Sequence, residues 1–282
     1  PARAGAQMTA ADNQLYAALN GALAGMAART VTAPLDVIKI RLQVQNSFYP
    51  QYLNIYDTCK SIFANEGFKG FWKGNLFGLL LYGMYGAVQF YTLERLSLIT
   101  GEKFLSGAAS AILSTLITFP FDTLRTQFAI KKNQTTAREM LLSMRFRHLY
   151  RGALPSVLQV GPYMGTVFAS HELFHQYINI GNDQLKNFIS GALAGAIGKT
   201  VTMPFDVVRK RMQIQGNRFD NYEVKNIQRF ARLSHCIAYT WLNEGPRGFF
   251  KGLPIALFKS VPATATTLMI YHWLDNRPRQ KS

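Results

Sequence analysis

The chain has only two cysteines, Cys59 and Cys236, in 282 residues. They stand far apart and beside no His/Cys cluster with metal-ligand spacing, so neither is assigned a redox or metal role and no cofactor is expected. Acids are scarce as well: 15 Asp and Glu against 31 Lys and Arg, for a net charge of +16. No nucleophile–base–acid set and no Walker loop occurs, which speaks against an enzyme. The start, PARAGAQMTAADNQ, shows neither the apolar core of a secretory signal nor an amphipathic Arg/Ser-rich transit pattern, so no leader is expected there.

In a soluble protein a charge of +16 would point to nucleic acid. Here the charges leave long stretches empty. Residues 75–93, 104–121 and 152–170 carry none, and each is close to the roughly 20 residues that cross a bilayer. A soluble nucleic-acid binder would spread its charge along its helices, so no nucleic-acid partner is expected. Mean hydropathy is 0.00. That value fits helices that line a watery cavity and show lipid one face, and it would also fit a soluble α-protein.

What the chain has instead is a phrase used three times: PLDVIKIRLQ at 34–43, PFDTLRTQFA at 120–129 and PFDVVRKRMQ at 204–213. Successive prolines lie 86 residues apart (34 to 120) and then 84 (120 to 204), the mark of an internal repeat. Each copy offers an acid and a base three residues later on one helix face: Asp36/Lys39, Asp122/Arg125 and Asp206/Arg209. A single copy would read as a helix N-terminus with proline in its first turn. Three copies, each after a long apolar stretch, predict three proline-kinked helices whose acid/base pairs converge and close a ring.

A second phrase follows each of the first. It ends in Trp72-Lys73-Gly74, Tyr150-Arg151-Gly152 and Phe250-Lys251-Gly252, and it opens helices predicted over about 75–97, 153–177 and 253–274. The free N–H groups of a helix start attract phosphate, at a membrane edge that of a lipid head group. An ordinary interfacial anchor of aromatic and base reads equally well. With proline helices at about 14–45, 104–131 and 184–214, the expectation is an all-α membrane protein of six spans. These fall into three pseudosymmetric repeats at 1–100, 101–181 and 182–282, with short helices between the spans of a repeat. Gly21 and Gly25 form a G-x-x-x-G that permits close helix contact.

Three cations interrupt the apolar spans: Arg29, Lys199 and Lys259. Ionisable groups at membrane depth are costly and mark substrate pathways. Arg29 and Lys199 each precede their proline by five residues, which sets them at one depth. No acid lies within a turn of Lys259, so it is expected to be unpaired. The positions matching Lys259 on the other two helices are Leu81 with Tyr82, and Gln159 with Val160. Three cations around one cavity call for a polyanion such as a pyrophosphate, and Tyr82, Tyr85 and Tyr163 offer stacking surface for a ring.

The pattern P-x-D/E-x-x-K/R-x-K/R, followed by D/E-G-x-x-x-x-aromatic-K/R-G, three times over, resembles the mitochondrial carrier family along nearly the whole chain. The resemblance implies a monomeric six-helix solute carrier of the inner mitochondrial membrane that alternates between two open states, with cardiolipin around it. Carried onto this chain, the matrix gate would be Asp36–Arg125, Asp122–Arg209 and Asp206–Lys39, with Gln43 and Gln213 as braces. Cardiolipin would sit at Lys73, Gly74, Arg151, Gly152, Lys251 and Gly252. The cytoplasmic gate pattern, F/Y-D/E-x-x-K/R, is poorly kept and leaves Glu94, Glu172 and His175. The middle repeat departs from the family: Gln127 replaces a base, Ala129 a brace, and Met144-Arg145 stand where the acid–Gly pair should be.

Within the family, the phrases at 32–43, 71–75, 80–90 and 256–266 most resemble fungal carriers of thiamine pyrophosphate. That compound or a related phosphorylated anion is the expected substrate, with thiamine monophosphate or nucleotides in exchange. Another nucleotide or phosphorylated coenzyme, such as an adenine nucleotide or coenzyme A, is the alternative. His171/Glu172/His175 match the H-E-x-x-H spacing of zinc proteases, but they begin where the gate pattern of the second repeat should fall and no third ligand is evident.

Overall fold

The computed structural model describes residues 10–46, 50–131, 138, 146–178, 183–215, 222, 224 and 227–275. The chain runs through α1 (Ala10–Val44), α2 (Ile55–Glu66), a tight 3-10 turn (Phe68–Trp72), α3 (Asn75–Thr100), α4 (Lys103–Ala129) and the short α5 (Phe146–Leu149). It continues through α6 (Ala153–Tyr177), α7 (Asp183–Gln213), α8 (Leu233–Tyr239), a π-helical turn (Thr240–Glu244), α9 (Gly245–Gly248), α10 (Leu253–Phe258) and α11 (Ser260–Asp275). Among the described residues there is no strand, only an isolated bridge between Lys131 and Tyr222.

Six long segments form the frame, with α10 and α11 acting as one. Each packs on the next, from α1 through α3, α4, α6 and α7 to α10, and α11 returns to α1 to close the ring. The last span was expected to be continuous, but it is interrupted at Lys259. Pro262 is the reason: it has no N–H to give the carbonyl of Phe258, four residues back. Pro34, Pro120 and Pro204 sit inside α1, α4 and α7, and these three helices touch one another as well as their ring neighbours. The boundary expected at 181/182 and the pair Met144-Arg145 lie outside the described residues.

The apolar core gathers at the end where the proline helices converge. Val37, Ile38, Ile40 and Val44 of α1 meet Ile62 of α2, Ala129, Ile130, Ile214 and Ile255 there. Beyond Gly78 in its first turn, which lies against Arg125 at this end, α3 buries no described residue, and α11 buries nothing among its described side chains. Those helices turn one side to the ring interior and the other outward. Three segments, Phe68–Ile99, Leu105–Ala129 and Leu253–Tyr271, are apolar and long enough to cross a membrane by length and composition. The helices α1, α6 and α7 match them in length but are more polar, because groups such as Arg29, Gln159 and Lys199 belong to the interior.

Of the two motif glycines on α1, a Cβ at Gly21 would meet nothing within 4 Å, whereas one at Gly25 would run into Tyr82. The close contact is thus made by a side chain of α3, and only at Gly25.

Candidate functional site

Each proline helix carries its acid two residues past the proline, and all three acids are buried. Arg125 pairs with Asp36, Arg209 Nη2 lies 2.7 Å from Asp122 Oδ2, and Lys39 Nζ lies 3.1 Å from Asp206 Oδ2. Each base comes from a neighbouring repeat, so the three pairs tie the three helices into a closed triangle.

Every acid also receives a second cation. Lys259 Nζ lies 2.6 Å from Asp36, Lys210 Nζ lies 3.0 Å from Asp122, and Lys199 pairs with Asp206. This corrects the expectation for Lys259: its acid is on α1, across the fold, where inspection of its own helix could not find it. Gln159 joins the same network by donating to Asp206 Oδ1 at 3.0 Å. Arg29 has no carboxylate among the described residues, and its buried Nε makes no hydrogen bond. Around the acids stand seven cations (Arg29, Lys39, Arg125, Lys199, Arg209, Lys210, Lys259) against three carboxylates, a surplus of four positive charges.

The two glutamines behave differently. Gln213 donates to Asp122 and accepts from Lys210 Nζ at 2.9 Å and from Thr126 Oγ1 at 2.9 Å. Gln43 is fully buried, yet neither its Oε1 nor its Nε2 has a hydrogen-bond partner. It therefore makes no brace here, because the second cation on Asp206 is Lys199 from the ring interior, whereas Lys210 reaches Asp122 beside Gln213.

Just outside the ring lies a second tie. Arg41 Nε donates to the carbonyl of Ala129, Gln127 Nε2 to that of Gln213, and Arg211 Nε to that of Gln43, so each helix is stitched to another. Arg41 also donates from Nη2 to Glu66 at 2.8 Å, and Arg211 to Glu244 at 2.7 Å. Lys73 and Lys251 pair with the same glutamates. The lysines expected to hold a lipid head group are thus engaged by glutamates of their own phrase, each of which also holds a buried arginine. Burial alone would raise the Glu244 carboxyl, but the hydrogen bond and charge of Arg211, helped by Lys251, hold it below the ordinary range.

The motif glycines also have an internal reason. Gly74 and Gly152 adopt φ of +78° and +89°, and a Cβ there would lie 2.7 Å from the carbonyl of Arg125 and 2.9 Å from that of Arg209. Gly252, at φ +79°, lies over Lys39 less tightly: a Cβ would be 3.2 Å from its Cγ and 3.6 Å from its carbonyl. The spans at Gly74 and Gly152 therefore start so close to the backbone of a ring base that only glycine fits, while at Gly252 the positive φ is what favours glycine. Arg151 makes no ion pair among the described residues.

Above the ring lies a cavity of about 280 Å³. It is lined by Arg29, by Leu81, Tyr82 and Tyr85 of α3, by Thr115, Thr118, Phe119 and Asp122 of α4, and by Arg209. Arg29, Leu81 and Tyr82 of the expected substrate residues meet there, while Lys199, Lys259 and Gln159 sit on the ring acids and Val160 is half-buried beside Gln159 in sequence. Tyr163 does not line the cavity; its ring packs near Gly198 of α7. Thr115, Thr118 and Phe119 escaped the sequence reading because hydroxyls and a phenylalanine in an apolar run carry no charge signal.

At the opposite end Glu94 and Glu172 are exposed and, with His175, form no ion pair among the described residues. His171 and His175 stack with ring centroids 6.0 Å apart. Among the described residues no group of three or more His, Cys, Asp or Glu could hold a metal ion.

The family described as Mitochondrial carrier protein matches the sequence three times, over residues 11–103, 97–182 and 181–281. The chain belongs to the mitochondrial carrier family. Its members are transporters, and this carrier is placed with them in a mitochondrial membrane. Among its relatives are proteins named mitochondrial thiamine pyrophosphate carrier 1. That of Coccidioides immitis is 36% identical over 286 residues, 89% of each chain. That of Scheffersomyces stipitis is 35% identical over 275 residues, 90% of this chain and 88% of the relative. That of Botryotinia fuckeliana is 35% identical over 284 residues, 89% and 88%.

Proposed function

We propose that this carrier moves thiamine pyrophosphate across the inner mitochondrial membrane by alternating access, in exchange for thiamine monophosphate or a nucleotide. One observation carries the reading: seven cations stand among the three ring carboxylates, and Arg29, which lines the cavity with Asp122 and Arg209, has no acid among the described residues. A pyrophosphate ester brings up to about three negative charges toward this surplus. Arg29 can grip phosphate oxygens bidentately, and Lys199 and Lys259 act as point charges once released from Asp206 and Asp36. The names of the relatives support this substrate over an adenine nucleotide or coenzyme A, which the cations alone would also accept.

In this reading Asp36–Arg125, Asp122–Arg209 and Asp206–Lys39 are the closed matrix gate, with Gln213 as its one brace. Glu94, Glu172 and His175 belong to the open cytoplasmic end. The carrier works as a monomer with three repeats. Cardiolipin phosphates bind at the helix starts of Gly74, Gly152 and Gly252, assisted by Arg151, which has no ion pair among the described residues, while Lys73 and Lys251 hold Glu66 and Glu244.

The test is thermal stabilisation of the purified carrier, because a ligand that binds only the folded state raises its stability by mass action. Thiamine pyrophosphate should raise the melting temperature, and thiamine without phosphate should not, since it leaves the cations unpaired. Arg29→Ala should abolish most of the shift. Equal shifts with thiamine and its pyrophosphate would remove the phosphate-binding role of the cations.

A further inference from the structure

The cavity leans to one side of the helix ring. Tyr82 and Tyr85 of α3 and Thr115, Thr118 and Phe119 of α4 make up one wall, Arg29, Asp122 and Arg209 supply the charged lining, and α6, α10 and α11 contribute none. Lys199 and Lys259 are elsewhere, on Asp206 and Asp36. A phosphate chain drawn to those cations leaves this slot for the other end of the substrate.

Two features specify that end. Tyr82 lies so close against α1 that a Cβ on Gly25 would collide with both its ring carbons and its hydroxyl. The absent side chain is what lets the phenol lie there, at the edge of the cavity, with a ring face available for stacking. The second feature is the state of the threonine hydroxyls. Thr115 Oγ1 donates to the carbonyl of Ala111 at 2.7 Å, and Thr118 Oγ1 to that of Ser114 at 2.7 Å. Each hydroxyl has one proton, so toward a ligand it can only accept; Thr115 also hydrogen-bonds the Tyr85 phenol, which leaves it one lone pair. An amino group on a ring satisfies such acceptors. A ring carbonyl in its place sets acceptor against acceptor.

We propose that the slot between α3 and α4 reads an amino-substituted heteroaromatic ring. Tyr82 is its stacking face, Thr115 and Thr118 accept from the amino group, and Gly25 is the positioning residue that seats Tyr82. This rests on the reading of the site as one for an organic pyrophosphate, but it is separable from the choice of thiamine.

The experiment is a set of thermal-shift titrations on the purified carrier with two amino/oxo pairs: thiamine pyrophosphate against oxythiamine pyrophosphate, and ADP against inosine diphosphate. Inorganic pyrophosphate serves as the ring-free reference. The amino member of a pair that binds should be favoured roughly 3- to 10-fold, the scale of one neutral hydrogen bond. Thr115→Val should erase most of that preference and leave pyrophosphate unchanged. Gly25→Ala should weaken both members alike, by about tenfold for one stacking contact, again without touching pyrophosphate. Adding Tyr82→Leu to Gly25→Ala should cost little more, since both act through one contact.

Equal affinity for amino and oxo rings in the unmodified carrier overturns the proposal, and that arm needs no variant to fold. A loss of pyrophosphate affinity in Gly25→Ala as large as the loss for the organic ligands makes Gly25 general packing and overturns its role. Preference for ADP over inosine diphosphate with no response to thiamine pyrophosphate upholds the slot and discards thiamine. No response to any of the five compounds overturns the slot and the organic-pyrophosphate reading together.

Discussion

Gln127 explains two departures of the middle repeat at once. In the outer repeats Arg41 and Arg211 occupy its position, and each has a buried glutamate to answer it. A buried arginine without its acid would be an uncompensated charge, so a repeat that lacks the acid–Gly pair needs a neutral donor, and Gln127 Nε2 still reaches the carbonyl of Gln213 at 2.8 Å. Both departures were legible in the sequence, but not their connection, because the arginine and its glutamate are 25 and 33 residues apart. Breaking such a pair should cost roughly 3–5 kcal/mol. Glu244→Gln is therefore expected to lower the melting temperature sharply, and Gln127→Arg to do likewise, whereas Glu94→Gln at the exposed end should not. The Glu244 carboxyl is held below its ordinary value, so its stabilisation is fully present above the unfolded pKa and is lost as pH falls through the folded one. Melting curves should be insensitive to this group above about pH 5 and decline below about pH 4.5, and Glu244→Gln should remove that component. Cys236 is fully buried, and its burial pushes the thiol up to about 11, so it should resist alkylation in the folded carrier.

The proline helices were legible as elements, since Pro34, Pro120 and Pro204 recur in one context. What the sequence concealed was how many groups share each acid. A charge exchange between Asp122 and Arg209 looks from the sequence like a clean reversal of one pair. In the structure Asp122 also meets Lys210 and Gln213, so an arginine at 122 would face Lys210. Asp122→Asn should cripple transport, and the exchange alone should restore little of it. The exchange combined with Lys210→Gln should restore more, because the like charge is gone. Wild-type uptake by Asp122→Asn would remove the gate role of the pair. The helix starts give a second check at this scale. Gly152→Ala combines a strained positive φ with a Cβ 2.9 Å from the Arg209 carbonyl, and is expected to destabilise by about 1–3 kcal/mol.

For the molecule as a whole, the six-helix ring followed from the triple repeat, although only three of its segments are apolar enough to be found by composition. The rest are more polar because they line the interior, where Arg29, Lys199 and Gln159 are needed. The pairing of Lys259 could not be read in advance, since a sequence shows neighbours along one helix and its partner Asp36 is on another; that of Lys73 with Glu66, seven residues before it in the same phrase, was within reach of the sequence. Lipid dependence belongs to this scale. Cardiolipin should stabilise the carrier in detergent more than neutral lipid at equal concentration, and equal stabilisation would leave the helix starts as packing features alone. Transport of a specific organic pyrophosphate can be measured as initial uptake of labelled thiamine pyrophosphate into liposomes preloaded with thiamine monophosphate or nucleotide. Saturable uptake is expected that requires the internal counter-substrate, is not competed by thiamine, and disappears in Lys259→Ala. Robust ADP or ATP exchange with no uptake of thiamine pyrophosphate would contradict it.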